Sequence, residues 1–347
     1  MAGDLHRVWD SPGLWGWLLL VAAAVALALA LTRNARRGSL LLVLGAGGFS
    51  AWLMAAGASA LRLMPQGNEV PRVSLALGAW LIMIGFAVIW FEGSRAAASQ
   101  RQSAIAVGVV VAALLVAWFF GGLRLLGIFL EYGAQSDSFW PLVYSHAALS
   151  LGGTAIAVVL GVPLGIAASR VAAVRSSVIP AAGVIQTIPS LALYGLLIVP
   201  LGMLRLPTIG PLPALIALTL YALLPIVRNT FLGVSGVDPA IIDAGRGMGM
   251  GETELLWRVE VPLALPLVLA GIRASLVMMV GITAVMAMAG AQTLGTLVFL
   301  GWGSVATDLV LLGALPMVIL SIVADQGMRA LEFAVVSPGI RFQEGQA

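Results

Sequence analysis

Nine long apolar runs leave this chain few folds to choose from. They cover Leu14 to Leu31, Leu40 to Met64, Val73 to Phe91, Ala104 to Leu130, Pro141 to Ser169, Val178 to Leu201, Pro211 to Val227, Leu263 to Ala289 and Thr307 to Met328. A helix crosses the hydrocarbon core of a bilayer with about 20 apolar residues, and at this length and hydrophobicity only helices satisfy their own backbone polar groups in lipid. A chain that is 61% hydrophobic and 10% charged has more apolar surface than a water-soluble core would hide. The expected fold class is an all-α polytopic membrane protein with about nine transmembrane helices. The first run lacks a basic start and a clear small-residue cleavage site, so it is expected to be a true span and not a cleaved signal peptide.

Arginine placement suggests the orientation, because basic residues concentrate in cytoplasmic segments. With the polar interruption around Asp243 inside, Arg33, Arg36, Arg37, Arg95, Arg101, Arg170, Arg175, Arg228, Arg246, Arg258, Arg329 and Arg341 fall on the cytoplasmic side. Arg7, Arg62, Arg72, Arg124 and Arg205 fall outside or at the outer boundary, and Arg273 lies within a span. The N-terminus is therefore expected outside and the C-terminus inside.

Residue types the chain lacks exclude several chemistries. It contains no lysine, so the phosphate-cradling loop G-x-x-x-x-G-K-[ST] cannot be present and any ATP hydrolysis must come from another polypeptide. With no cysteine and only His6 and His146, disulfides, iron–sulfur clusters and Cys/His metal sites are excluded. The net charge of +3 is accounted for by the inner-face arginines and requires no nucleic acid. No catalytic residue, metal site or resident cofactor is expected.

The most informative segment is the polar interruption from Asp243 to Pro262. Asp238 followed by Pro239 is a good helix start, an acceptor side chain ahead of a residue without the unneeded N–H. Gly245, Gly247, Gly249 and Gly251 should end that helix. A second short helix is expected from Glu252 to Val259, with Glu252 and Glu254 near its positive end and Arg258 near its negative end, closed by Pro262. Ordinary connections between helices are short; this one combines caps, hinges and apolar side chains such as Ile241, Met248 and Trp257, which suits a surface gripped by another protein.

The same segment reads Asp243-Ala244-Gly245, three residues, Gly249, nine residues, Val259, one residue, Val261-Pro262. That pattern resembles the "EAA" docking loop of ABC importer permeases, Glu-Ala-Ala, Gly, Ile and Leu-Pro at the same spacing. The letters differ: Asp stands for Glu, Gly245 for the second Ala, and Val for both Ile and Leu. The resemblance implies a type I ABC importer permease core whose Asp243, Ala244, Gly245, Arg246, Met248, Gly249, Val259 and Pro262 form the ATPase-coupling loop.

Further motifs resemble one subgroup, the permeases of osmoprotectant importers for glycine betaine, choline, carnitine and proline betaine. They are Gly161-Val-Pro163-Leu-Gly165, Gln186-Thr187-Ile188-Pro189-Ser190, Tyr221-Ala-Leu-Leu-Pro225-Ile-Val-Arg228-Asn229-Thr230 and Gly271-Ile-Arg273. Together they cover Pro141 to Gly313, about half the chain. One departure concerns the outer face, where members commonly read Gly-Ala-Gly-Gly-Leu-Gly and this chain has Gly290-Ala291-Gln292-Thr293-Leu294-Gly295. The polar stretch near Glu131 to Ser138 marks a division. Residues 1–134 form a four-span extension without a family motif, 135–330 the permease core with its docking loop at 228–262, and 331–347 a cytoplasmic tail.

Polar residues inside spans are candidates for the transport path. Gln186, Thr187, Pro189 and Ser190 fall within one expected span, where they could line a water-filled pathway or bond neighbouring helices across a kink. Arg273 is expected to snorkel to the inner headgroups, and Asp325 and His146 are expected at the interfaces. Trp140, Trp302 and Trp90 fit an aromatic belt, while Trp52, Trp80 and Trp118 suit packing. The resemblance implies as partners two ABC ATPase subunits, a second permease chain, identical or related, and an extracytoplasmic substrate-binding protein, all at the bacterial cytoplasmic (inner) membrane. ATP and Mg would reside on the ATPase. Quaternary ammonium groups are held by aromatic cages; no such cage or fused binding domain is evident, so selectivity is expected in the binding protein. Two alternatives remain: an ABC permease for amino acids or other small amines, and an ATP-independent secondary transporter, which calls for paired broken helices in related halves and membrane-embedded carboxylates.

Overall fold

The computed structural model describes residues 37–62, 77–96, 100–119 and 126–336. The chain divides into two compact units, Met1–Gln135 and Ser136–Ala347.

The first unit contains α1 (Arg37–Arg62), α2 (Leu77–Ala96), α3 (Gln100–Phe119) and the short α4 (Gly127–Ala134). Glycines let α1 and α2 approach backbone to backbone. A Cβ on Gly45 would stand 2.3 Å from the Trp90 amide nitrogen, and one on Gly93 2.3 Å from that of Leu42. Trp52, Leu53, Phe86 and Leu126 form one buried cluster, and Leu42, Ala46, Ala106 and Val110 join α1 to α3 in another. The expected run Ala104 to Leu130 is thus two helices and not one. The run Leu14 to Leu31, Trp118 as a packing residue and most of the 331–347 tail lie outside the described side chains.

The second unit contains α5 (Ser136–Arg170), α6 (Ala172–Thr187), α7 (Ser190–Met203), α8 (Pro211–Ser235), α9 (Pro239–Gly247), α10 (Glu252–Leu255), a π-helical turn (Leu256–Glu260), α11 (Val261–Val285), a 3-10 turn (Met286–Ala289), α12 (Gly295–Gly303) and α13 (Thr307–Val335). Its centre is the pair α5 and α8. Gly153, Ala157, Gly161 and Gly165 recur every fourth residue on one stripe of α5, the small-residue spacing that lets helices pack closely in membranes. A Cβ on Gly165 would lie 2.5 Å from the Thr230 Cβ and 2.8 Å from the Val227 carbonyl oxygen. On the other side of α8, a Cβ on Gly271 of α11 would lie 2.7 Å from the Asn229 Cβ. Two of the sequence motifs, Gly161–Gly165 and Gly271–Arg273, therefore act as helix-packing surfaces.

Polar groups in this core find partners across helices. His146 Nε2 donates to the Val280 carbonyl at 2.9 Å, the Ser150 hydroxyl donates to Thr283 Oγ1 at 3.0 Å, and the Ser275 hydroxyl donates to the Ala222 carbonyl at 3.0 Å. His146 is fully buried, so its expected interfacial position is corrected: it ties α5 to α11. Arg273 also differs from expectation. Its Nε lies 2.8 Å from Asp325 Oδ1, and Arg329 reaches the other Asp325 oxygen at 3.1 Å. Arg273 and Asp325 are paired across the α11–α13 contact, which lowers the cost of holding an arginine there.

Among the described residues, five helices are long and apolar enough to cross a membrane, and six if the α6–α7 pair counts as one span. Trp80–Gly93 and Ala104–Val116 are shorter apolar stretches. The large exposed apolar side chains, such as Val159, Val199 and Ile319, suit lipid or partner contact.

Candidate functional site

The coupling-loop candidates form a self-contained surface element between α8 and α11. Asp238 caps α9 by accepting the Ala240 amide at 2.8 Å, with Pro239 as the first helical residue. Gly249 then reverses the chain at φ +86°. Around it the Met250 amide bonds the Gly245 carbonyl at 3.1 Å and the Gly249 amide bonds that of Arg246 at 2.9 Å. Those two bonds define a Schellman termination, which favours glycine at the left-handed position. Gly245 is buried against Leu255 and Met250, at 3.5–3.6 Å from a built Cβ, and Leu255 is fully buried. This contact fastens α9 to α10.

The charged residues brace the turn from outside. Arg246 pairs with Asp243 at 3.5 Å and Glu252 at 3.0 Å, and Arg258 pairs with Glu254 at 2.8 Å. All are solvent-exposed to a degree that makes each pair worth little by itself; only Arg246–Glu252 bridges the two limbs. Met248 (72% exposed) and Trp257 (61% exposed) stand out beside Asp243 and Ala244. The loop so exposes two large apolar side chains among charged ones. Val259 is half-buried and Pro262 exposed.

The second limb departs from the expected short helix. Glu252 starts a helix that continues through the π turn into α11 and on to Val285, so Pro262 does not close it. Proline lacks the N–H and its ring crowds the carbonyl four residues earlier; a π turn, with its wider i→i+5 bonding, admits the extra residue that relieves this conflict. The limb that starts at Glu252 and the long α11 are accordingly one continuous rod.

The expected pathway residues sit at a sharp elbow. The run Val178 to Leu201 is not one straight span: α6 and α7 meet at 111°. Pro189 forces the residue before it out of the helical region, and Ile188 is extended at φ −74°, ψ 128°. Two bonds to α8 hold the elbow. Gln186 Nε2 donates to the Tyr221 carbonyl at 2.8 Å, the very carbonyl that Pro225, four residues on, leaves without a donor. The Tyr221 hydroxyl in turn donates to the Ile188 carbonyl. Thr187 bonds back to Val184 at 2.7 Å and is exposed, as is Pro189, while Gln186 and Ser190 are half-buried.

At the far end of α11 the Gln292–Thr293 exchange resolves into two roles. Thr293 is fully buried, and its hydroxyl accepts the Gly295 amide at 3.2 Å; Gln292 is exposed. Next to it the buried Tyr194 hydroxyl donates to the Ala289 carbonyl at 2.5 Å and accepts the Gly210 amide at 3.0 Å. This knot joins α7, the start of α8 and the end of α11.

Two residues have a structural role that sequence does not reveal, Glu260 at the loop's base and Tyr221 at the elbow. Glu260, the last residue of the π turn, is buried and pairs with Arg170 at the end of α5, 2.5 Å away. Tyr221 was part of a motif but had no role. A lone acid heading an apolar run is the signal that could have drawn attention to Glu260. Among the described residues no group of histidines, cysteines or carboxylates is placed to hold a metal ion.

Residues 157–337 match the family profile described as binding-protein-dependent transport system inner membrane component. The chain belongs to that family. It is thus a multi-pass inner-membrane component of a binding-protein-dependent transport system. Residues 1–128 match a second profile, the N-terminal domain of the ABC transporter permease YehY. Similar curated proteins include the carnitine transport permease protein OpuCB of Listeria monocytogenes, 40% identical over 198 residues, which are 57% of this chain and 88% of that one. The osmoprotectant import permease protein OsmW of Salmonella typhimurium is 40% identical over 200 residues, 58% of this chain and 93% of that one. The choline transport system permease protein OpuBB of Bacillus subtilis is 34% identical over 198 residues, 57% and 88%. Among solved structures, an inward-facing MetNI methionine ABC transporter aligns at 21% identity with a TM-score of 0.49, covering 57% of this chain and 98% of that chain.

Proposed function

We propose that this chain forms the translocation pathway of an ATP-driven importer for small quaternary-ammonium osmoprotectants of the glycine betaine, carnitine and choline class. The observation that carries the proposal is the loop from Asp238 to Val261, whose Schellman turn at Gly249 and exposed Met248 and Trp257 make a built docking surface on a chain of this family. The substrate class is supported by the relatives named for carnitine, choline and osmoprotectants at 34–40% identity.

In this reading, ATPase subunits carrying ATP and Mg grip Asp243, Ala244, Arg246, Met248 and Gly249 from the cytoplasm. The N-terminus lies outside and the C-terminus inside. A second permease chain completes the pathway, and an external binding protein delivers cargo at the end marked by Gln292 and Tyr194. Closure of the ATPases displaces the α9–α10 limb, and the continuous rod from Glu252 to Val285 carries that displacement into the membrane. The α6–α7 elbow borders the path, with Gln186 as its fastening, Thr187 and Pro189 exposed on it and Ser190 half-buried beside them. Residues 1–135 act as an accessory unit. Selectivity rests mainly with the binding protein.

The test is uptake of radiolabelled glycine betaine, carnitine and choline by bacteria lacking their own osmoprotectant transporters. Cells given this chain with its ATPase and binding protein should accumulate at least one of the three and regain growth at high salt. Accumulation of none of them, with the complex present in the membrane, would sink the substrate assignment.

A further inference from the structure

The bond between Glu260 and Arg170 joins two parts of the molecule that the proposed mechanism must move together. Glu260 closes the π turn at the base of the docking limb; Arg170 is the last residue of α5. Their side chains are 2.5 Å apart, the carboxylate 2% exposed and the guanidinium 39% exposed. The pair lies at one end of α5, the 35-residue helix that the glycine stripe seats against α8. Beneath it Val234, Ala264 and Val268 form a buried cluster with Ile166 and Leu256 against it, so the ion pair is set at the edge of an apolar joint among α5, α8 and α11.

A buried ion pair is weak evidence of stability, because desolvation offsets most of the attraction. Here the cost is visible. Glu260 Oε1 is buried and has no hydrogen-bond partner among the described residues, leaving the carboxylate dependent on Arg170 through its other oxygen. Arg170 has no comparable need: partly solvated at a helix C-terminus, it is favoured there by the helix dipole alone. Retaining a costly acid at the root of the docking limb makes physical sense if it fixes geometry. The chain of contacts is unbroken from Gly245 to Leu255, through the π turn, to Glu260 and on to Arg170.

We propose that the Glu260–Arg170 ion pair is a coupling strut, a pair of positioning residues through which displacement of the docking limb reaches α5. The inference rests on the proposed role of the Asp238–Val261 loop as the ATPase contact. Without the strut, α10 and α11 would still move with the ATPase, but α5 would follow only through the apolar joint.

The experiment uses the full chain assembled with its ATPase in proteoliposomes, with substrate-loaded binding protein outside. Four variants are compared with wild type: R170Q, R170K, E260Q and the double R170Q/E260Q. R170Q and E260Q are compared per assembled complex, because R170Q leaves the buried Glu260 carboxylate without its cation and lowers the yield of complex; both should keep basal ATP hydrolysis. Each should lose at least tenfold in uptake and most of the stimulation of ATPase activity by loaded binding protein. R170K, which keeps the cation, should retain at least half of wild-type uptake. Because both singles break one bond, the double variant should be no worse than either single; non-additivity of this kind is how two residues acting as a pair are recognised. Wild-type uptake and stimulation in R170Q and E260Q overturn the strut. So does a double variant that falls to the product of the singles, or loss of uptake that merely follows loss of assembled complex in all four. A wild-type complex that itself shows no ATP-dependent uptake refutes the proposed function, and that outcome is distinct because it precedes any comparison among variants.

Discussion

Replacing Gly249 probes the docking turn with little else changed. The residue sits at φ +86°, and a Cβ built on it meets no atom within 4 Å. A substitution therefore brings no steric clash, and its whole cost is that of forcing an L-residue into left-handed backbone, roughly 1–2 kcal/mol. If the loop relaxes to avoid that cost, it gives up the two Schellman bonds from Met250 and Gly249, which are worth about 1 kcal/mol each. Either way the ratio of docking-competent to relaxed loop falls about 5- to 30-fold, which sets the upper limit of the loss for a loop of marginal stability. Gly249→Ala should lower initial uptake by up to that factor, and Gly249→Val, β-branched and a true outlier at positive φ, by more. Gly249→Asn should stay within about threefold of wild type, since Asn visits this region readily. The assay is initial-rate uptake normalised to the amount of chain in the membrane, with co-purified ATPase measured in parallel. If Asn is as harmful as Val, bulk at the docking surface and not backbone conformation governs the loop. If all three transport like wild type, the turn has no part in coupling.

Gly165→Val would place a side chain against Thr230 and the Val227 carbonyl; overpacking of this kind costs about 1–3 kcal/mol, and a lower melting temperature of the detergent-solubilised protein would register it, whereas Gly247→Ala, in open space, should change it little. Gln186→Ala leaves the Tyr221 carbonyl without its donor at a cost of about 1–3 kcal/mol, so uptake of betaine, choline and carnitine should fall together without a change of rank, and Thr187→Ala should be milder. A sharp reordering of preference by either variant would place a specific substrate site at the elbow. A chain beginning near Gln135 should still insert and co-purify with the ATPase; complete loss of the ATPase from a well-expressed truncated chain would assign residues 1–135 to the coupling machinery.

The cap at Asp238 and the turn at Gly249 were legible in sequence because their determinants are local. Asp238 caps through its own side chain two residues ahead, and Gly249 turns the chain through bonds that span five residues. The elbow was only half legible. Hydropathy runs unbroken from Val178 to Leu201, so the run looked like one span, and the 111° angle depends on partners on α8, Tyr221 and Pro225, more than 30 residues away. Pro262 misled for a related reason. Its ordinary effect ends a helix, but a π turn absorbed the conflict and packing of Leu255 and Ala264 kept the rod whole. Arg273, Asp325 and His146 were placed at interfaces because sequence shows an unpaired charge or imidazole where the fold supplies a partner from another helix. Glu260 falls between Val259 and Val261-Pro262, where the loop pattern specifies no residue type.

The central claim is that this chain moves solute when an ATPase acts on the Asp238–Val261 loop. Its most direct measurement is solute entry into proteoliposomes holding the chain and its ATPase, with ATP enclosed on the ATPase side and loaded binding protein on the other. Entry of labelled glycine betaine, carnitine or choline should require ATP, the ATPase and the binding protein together, and should be lost in Gly249→Val at unchanged protein content. Entry driven by a proton or sodium gradient with the chain alone would contradict the account and make it a secondary transporter.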